Sequence, residues 1–84
     1  MINAKKHVIL YTRPGCHLCE EAKRAMRAAD CADAYTLEEI NIVTDPALLE
    51  LYRTEIPVIT IDGVEAFKYR LTPEEFRQRI ISAT

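Results

Sequence analysis

A strand pattern gives way to a helix pattern near the start of this chain, and two cysteines lie at the junction. Residues 8–11 form an unbroken apolar run, typical of a central strand covered on both faces. Pro14-Gly15 ends that run, and a helix is predicted from Cys16 to about Ala29. Its apolar and small side chains share one stripe: Leu18, Ala22, Ala25, Met26 and Ala29. The junction itself carries a C-x-x-C motif, formed by Cys16 and Cys19.

Turn and capping signals divide the rest of the chain. Asp45-Pro46 combines a helix N-cap with proline at the first helical position. Asp62-Gly63 is a strong signal for a tight hairpin between two strands. Thr72 and Glu75 form a capping box that begins the last helix. Strands are accordingly predicted over residues 39–43, 56–61 and 64–69.

The predicted elements follow the order β-α-β-α-β-β-α, which indicates an α/β fold. A helix joins the first two strands, so we expect them to be parallel with a right-handed crossover. The tight turn makes the last two strands antiparallel. The result is a mixed four-stranded sheet with helices on both faces. The length of 84 residues fits one domain over residues 1–84.

Charge and composition exclude several classes of protein. The net charge is −2, whereas a nucleic-acid or anionic-membrane surface needs a basic excess. Residues 1–7 lack the pattern of a secretory signal, and no apolar run reaches transmembrane length. We therefore expect a cytoplasmic monomer that binds neither nucleic acid nor membrane. In that compartment, three cysteines favour catalytic, metal-binding or inert thiols over a disulfide scaffold.

The two thiols of the C-x-x-C motif differ in their expected surroundings. Cys16 lies at the positive end of the helix dipole, and Arg13 and His17 add positive potential, which favours the thiolate form. Cys19 lies beside the apolar stripe and is expected to be the more buried thiol. We therefore predict that Cys16 attacks a substrate disulfide and that Cys19 resolves the resulting mixed disulfide.

A proline at the start of the third strand is the second candidate element. In the predicted order this strand lies beside the first, which brings Ile56 and Pro57 near Cys16. A cis Ile56-Pro57 bond would expose backbone groups to a substrate peptide, but cis is the minority state of such bonds. Arg13 and His17 are the other predicted substrate-binding residues, although a solvated surface role fits each of them equally well.

Other roles for these residues stay open on the sequence alone. A zinc site needs further ligands, and the chain has only two histidines, so we predict no metal site. A purely structural disulfide across so short a loop would stabilise little. Cys31 is predicted to be an inert or partly buried thiol, because Asp30 and the helix end disfavour its thiolate. The aromatic side chains are predicted to pack rather than to bind: Tyr52, Phe67, Tyr69 and Phe76.

Residues 11–19, taken with Ile56-Pro57-Val58 and Asp62-Gly63, resemble the thioredoxin superfamily and, within it, small glutaredoxin-like proteins. The resemblance implies a nucleophile at Cys16, a resolving thiol at Cys19 and a cis-proline at Pro57. It implies the sheet order 4-3-1-2, with strand three antiparallel to the rest. The implied activity is that of a thiol-disulfide oxidoreductase, which reduces protein or glutathione-mixed disulfides. No cofactor is bound; glutathione serves as a co-substrate, or a reductase supplies the electrons.

Two departures from the glutaredoxin pattern keep a second hypothesis open. His17-Leu18 stands between the cysteines, where glutaredoxins usually carry Pro-Tyr. Residues 68–73 lack the Gly-Gly pair that helps such proteins hold glutathione, and Thr72 leaves only a weak anion site at the last helix. The alternative is a non-catalytic thioredoxin-fold module that binds a partner or senses redox state.

Overall fold

The computed structural model describes residues 5–81. Residues 1–4, where the absence of a secretory signal was expected, and residues 82–84, at the end of the predicted domain, lie outside the described residues. The observed order of elements is the predicted β-α-β-α-β-β-α. The bounds are β1 Lys6–Thr12, α1 His17–Ala28, β2 Tyr35–Asn41, α2 Pro46–Tyr52, β3 Val58–Ile61, β4 Val64–Lys68 and α3 Pro73–Ile81, with single 3₁₀ turns at Ala32–Ala34 and Ile42–Thr44.

The four strands form one mixed sheet in the order β2-β1-β3-β4. β1 runs parallel to β2, while β3 runs antiparallel to both β1 and β4. The expected strand order and directions are therefore confirmed. Tyr11, near the end of β1, pairs with Val58 at the start of β3. Because of this pairing, the loop after β1 and the loop before β3 lie at the same end of the sheet.

β2 and β3 differ most from their predicted ranges, while β1 is longer at both ends and β4 is one residue shorter. β2 begins at Tyr35 rather than at residue 39, and it stops at Asn41 rather than at residue 43. It stops there because the Val43 N–H donates to Asn41 Oδ1 at 2.9 Å, which turns the backbone out of the strand. β3 begins at Val58, two residues later than predicted.

Helices α1 and α3 cover one face of the sheet and bury the main core there. Phe76 of α3 lies at the centre and meets the ring of Tyr35 edge-on, with 5.1 Å between the ring centroids. The predicted apolar stripe of α1 faces this core, with Ala22, Met26 and Ala29 buried. The strands contribute the buried side chains Val8, Leu10, Ile59 and Ile61.

Helix α2 covers the opposite face, which confirms helices on both sides of the sheet. The ring of Tyr52 lies 4.8 Å from that of Tyr11, centroid to centroid. Tyr11 alternates with buried Leu10 along β1 and therefore projects to the other face. Asp45 begins this helix as predicted, since its Oδ1 accepts a hydrogen bond from the Ala47 N–H at 2.9 Å.

The predicted capping box of α3 is confirmed. Thr72 Oγ1 accepts a hydrogen bond from the Glu75 N–H, and Glu75 Oε1 accepts one from the Thr72 N–H, both at 3.1 Å. Pro73 occupies the first helical position, where its missing N–H costs nothing. Over residues 5–81, no helix combines the length and the apolar character needed to cross a bilayer.

Candidate active site

A tight turn presents the C-x-x-C motif at the end of the sheet. The Cys16 N–H donates to the carbonyl oxygen of Arg13 at 3.3 Å, and Gly15 adopts φ 78°. A type II turn favours proline at its second position and a left-handed glycine at its third position. Pro14 and Gly15 occupy these two positions. Cys16 then forms the N-cap of α1, because its Sγ accepts a hydrogen bond from the Cys19 N–H at 3.1 Å.

The two cysteines form a disulfide, with 5.2 Å between their Cα atoms. Cys19 is 1% exposed and packs on the inner side of α1, whereas Cys16 is half-buried. The predicted difference in burial is therefore confirmed, although Cys16 is less open than an exposed thiol. The assignment of Cys16 as attacking thiol and Cys19 as resolving thiol stays a prediction.

Pro57 lies at the same end of the sheet. The Ile56-Pro57 bond is cis, as the family resemblance implies. The ring of Pro57 is buried and Ile56 is half-buried. The carbonyl oxygen of Pro57 accepts a hydrogen bond from the Tyr69 N–H at 2.9 Å, which ties this loop to the segment after β4. Their role in substrate binding stays a prediction.

Arg13 and His17 are both exposed beside the disulfide. The His17 side chain is 85% exposed, and its Nε2 lies 3.3 Å from Glu21 Oε2, one helical turn along α1. Arg13 lines a shallow depression on the β2 side of the loop, together with Lys23 and Glu39. Substrate binding by these two residues also stays a prediction.

A groove on the other side of α1 was missed by sequence reasoning. It has a volume of about 340 Å³ and runs between the first turns of α1 and the segment before α3. From sequence, that segment was notable only for lacking Gly-Gly. The lining residues are Leu18, Glu21, Ala22, Tyr69, Arg70, Leu71, Thr72 and Glu75.

Tyr69 has the least expected conformation in this groove. Its φ is 66°, in the left-handed region that bulky residues such as tyrosine avoid. The Arg70 N–H donates to the carbonyl oxygen of Lys68 at 2.6 Å, which closes a three-residue turn around Tyr69. The residue is 47% exposed, and the packing role predicted for it stays a prediction.

Cys31 lies beyond the opposite end of α1, whose 12 residues span about 18 Å. It is a free thiol, 7% exposed. Burial raises the pKa of Cys31, and Asp30 raises it further, while the nearby Arg77 guanidinium opposes the shift. Burial is the larger cause of this shift, and the expected burial of this thiol is confirmed. The inert role assigned to Cys31 stays a prediction.

Across residues 5–81, no group of three or more His, Cys, Asp and Glu side chains is arranged to hold a metal ion.

Comparison with known proteins identifies the family. The model of the glutaredoxin-like domain (DUF836) matches residues 7–81. The chain belongs to the glutaredoxin-like domain family. A glutaredoxin-like protein of Dictyostelium discoideum is 31% identical over 75 residues, which cover 82% of this chain and 69% of that protein.

Solved structures agree with this placement. Protein Ne2328 from Nitrosomonas europaea is 31% identical, with a TM-score of 0.74 over 99% of this chain and 96% of that one. Protein XcR50 from X. campestris is 25% identical, with a TM-score of 0.77 over 92% and 99%. Mitochondrial thioredoxin 3 from Saccharomyces cerevisiae, at 14% identity and a TM-score of 0.64 over 90% and 76%, shares the fold. The family and the C-x-x-C pair fit a thiol oxidoreductase-like fold.

Proposed function

We propose that this protein is a thiol-disulfide oxidoreductase that reduces the disulfides of proteins, or their mixed disulfides with glutathione, through Cys16 and Cys19. One observation carries the proposal. Half-buried Cys16 caps α1, its Sγ accepts a hydrogen bond from the Cys19 N–H at 3.1 Å, and it forms a disulfide with the buried Cys19. A hydrogen-bond donor and the helix dipole both favour negative charge on Cys16 Sγ.

The reaction follows from this arrangement. The Cys16 thiolate attacks one sulfur of the substrate disulfide, forms a mixed disulfide and displaces the other substrate sulfur as a thiolate. Cys19 then loses its proton and attacks Cys16 Sγ, which releases the second substrate thiol and leaves the Cys16–Cys19 disulfide. Two electrons pass to the substrate. A dithiol reductase, or two molecules of glutathione, returns the enzyme to its reduced form.

The proposal includes a cytoplasmic setting, a monomeric enzyme and no bound cofactor. The net charge of −2 supports the absence of nucleic-acid and anionic-membrane partners. A reducing compartment supports the direction of electron flow toward the substrate. Glutathione and a reductase remain the two alternative electron donors.

A disulfide-reduction assay with two separate electron donors tests this function. The purified protein is supplied either with glutathione and its reductase, or with a thioredoxin reductase system, and NADPH consumption is followed. We expect turnover with at least one donor. Cys16→Ser should abolish it, whereas Cys31→Ser should retain it.

The alternative is a non-catalytic module that binds a partner or senses redox state. The self-capped N-terminus of α3 supports it, because the Thr72 and Glu75 N–H groups already have acceptors within the chain. This reading predicts no turnover with either donor, while the Cys16–Cys19 disulfide still forms and breaks as the redox poise changes. That combination of results would replace the enzymatic proposal.

A further inference from the structure

We propose that the groove between α1 and the Tyr69–Thr72 segment selects polypeptide disulfides with an apolar and a basic side chain beside the reacting cysteine, and that it disfavours glutathione. The inference rests on the proposed function and specifies the substrate class of the same site. Four features of the groove support it: its position, its charge, the cap of α3 and the conformation of Tyr69.

The groove adjoins the first turn of α1, which carries the reacting cysteines. Leu18, which lies between Cys16 and Cys19 in the motif, is one of its lining residues. Ala22 and Leu71 extend the apolar part of the lining away from the disulfide. The volume of about 340 Å³ is at the low end of the range for ligand pockets, about 300 to 1,000 Å³. This space suits one apolar side chain and its neighbours on an extended peptide.

The charge of the groove favours a basic partner. Glu21 and Glu75 line it, and Arg70 is the single cation among the lining residues. The Arg70 guanidinium lies 3.7 Å from a carboxylate oxygen of Glu21, so these two charges offset each other and Glu75 leaves the lining with a net negative charge. Glu74, in the first turn of α3, adds another carboxylate nearby. A peptide with Lys or Arg complements this field, whereas glutathione, a net anion at neutral pH, does not.

The N-terminus of α3 offers an anion few open donors. The Thr72 N–H and the Glu75 N–H are each bonded within the capping box, and Pro73 has no N–H, which leaves the Glu74 N–H as the one first-turn donor without an acceptor among the described residues. A glutathione carboxylate at this position would gain that single N–H and would lie beside the Glu74 and Glu75 carboxylates. The weak anion site expected from the sequence is therefore unfavourable in this structure.

Tyr69 provides an aromatic side chain at the edge of the groove. A non-glycine residue at φ 66° is held there only by its surroundings, and such residues concentrate at functional sites. Here the Tyr69 N–H is bonded to the Pro57 carbonyl, and the Arg70–Lys68 hydrogen bond closes the turn. The half-exposed ring is thus fixed beside the cis-proline loop, where it offers contact to an apolar side chain or to a cation.

Single-turnover reduction of matched mixed disulfides tests the proposal without choosing an electron donor. Each probe carries 2-nitro-5-thiobenzoate on one cysteine: a Leu-Cys-Lys peptide, a Gly-Cys-Glu peptide, or glutathione. Pre-reduced protein attacks the cysteine sulfur and releases the coloured thiolate. We expect the Leu-Cys-Lys probe to react about tenfold faster than the other two at low salt, and the gap to narrow in high salt.

The outcomes separate the two proposals. If no probe reacts faster with the wild type than with Cys16→Ser, the proposed function fails and the groove assignment fails with it. If all probes react through Cys16 at equal rates, or if glutathione is fastest, only the groove assignment is overturned.

Variants assign the selectivity to particular side chains. Tyr69→Asn removes the ring but keeps a residue that tolerates the left-handed conformation, and Tyr69→Phe keeps the ring. Glu75→Gln removes a charge and retains a capping side chain. At low probe concentration, we expect Tyr69→Asn to slow the Leu-Cys-Lys probe about fivefold and the glutathione probe much less. Tyr69→Phe should restore most of the rate with the Leu-Cys-Lys probe. Glu75→Gln should narrow the preference for the basic probe. Equal losses on every probe would indicate a merely structural role and overturn the assignment.

Discussion

The main-chain N–H of Cys19 donates a hydrogen bond to Sγ of Cys16 at 3.1 Å, so the buried cysteine supports its partner through its backbone as well as through its thiol. The donor belongs to the first turn of α1, next to the Cys16–Cys19 disulfide. We expect reduction to leave Cys16 Sγ facing this N–H group and the positive helix end, with Cys19 Sγ on the buried side of the helix. One helical turn thus creates two chemically different thiols.

The first prediction concerns the alkylation of the three cysteines. In the fully reduced protein at pH 7, we expect iodoacetamide to modify Cys16 at least about tenfold faster than Cys31, because the thiolate is the reactive form. Burial restricts Cys31 and raises its pKa. Peptide mass spectrometry after timed quenching measures the rates. In denaturant the two rates should converge, and a slower Cys16 in the folded protein would contradict the proposed nucleophile.

The second prediction concerns the resolving thiol. Cys19→Ser should trap a mixed disulfide between Cys16 and the substrate, because no second thiol remains within reach of Cys16 Sγ. Non-reducing electrophoresis and mass spectrometry detect the adduct. Cys16→Ser serves as the matched control and should form none. An adduct through Cys31 in the Cys19→Ser protein would reassign the chemistry.

Local signals in the sequence predicted most of the fold. Asp45, Asp62-Gly63 and the Thr72 cap each act over a few residues, so the elements next to them appear where expected. β2 was placed too late because it has little pattern of its own. Much of it is exposed, and its length is set by pairing with β1, from Lys6 opposite Tyr35 to Thr12 opposite Asn41.

The candidate site was only half predictable for a similar reason. Cys16 and Cys19 form a C-x-x-C motif at the start of a helix, and Pro57 lies at the start of a strand, so all three could be recognised from the sequence. The groove is created by a backbone turn at Tyr69, and no residue preference predicts a left-handed tyrosine. Two hydrogen bonds hold that conformation: the Tyr69 N–H donates to the Pro57 carbonyl oxygen, and the Arg70 N–H donates to the Lys68 carbonyl oxygen. These contacts depend on the tertiary fold, so the sequence carries no local signal for them.

The third prediction is a pH dependence of stability that arises from Cys31. Its folded pKa is raised above the ordinary value of 9.0, chiefly by burial. Above about pH 9 the unfolded chain loses this proton before the folded one does, so the folded state binds more protons there. Stability must then fall as the pH rises from that value toward the raised pKa. Urea unfolding of the reduced protein between pH 8 and 10 measures the fall.

Cys31→Ala provides the control for that slope. Burial raises the pKa of half-buried Tyr35 in both proteins, while the smaller contribution of Cys31 to that shift is lost in the variant and changes the slope in the same direction. The variant should therefore lose stability less steeply over the same range of pH, whatever its absolute stability. Parallel curves for the two proteins would show that Cys31 ionises as freely in the folded state as in the unfolded one.

The fourth prediction concerns a buried hydroxyl in β3. Thr60 is 6% exposed, and its Oγ1 has no hydrogen-bond partner among the described residues. A buried hydroxyl without a partner carries a desolvation cost, which a methyl group of similar shape avoids. We expect Thr60→Val to raise the free energy of unfolding by about 1 kcal/mol. Thr36→Val, at an exposed position of β2, is the matched control and should change little, because it loses only a 3.4 Å contact between two exposed groups, Thr36 Oγ1 and His7 Nδ1. A destabilised Thr60→Val would indicate a hydrogen bond to a bound water.

The fifth prediction concerns the residue that ends α1. Asp30 follows the C-cap Ala29 with φ 58°, the left-handed position that glycine fills most easily. Its carbonyl oxygen and that of Ala29 accept hydrogen bonds from Arg77 Nη1, at 3.2 and 2.9 Å, and these contacts need no side chain at residue 30. Asp30→Gly should therefore raise the free energy of unfolding by about 0.5–1 kcal/mol.

The control for Asp30→Gly is the same substitution inside the helix. Arg24 is exposed in the middle of α1, and Arg24→Gly should lower the free energy of unfolding by about 1 kcal/mol. Urea unfolding of both variants gives the comparison, and opposite signs are the expected result. If Asp30→Gly also destabilises the protein, the aspartate side chain contributes more to the end of α1 than its backbone conformation costs.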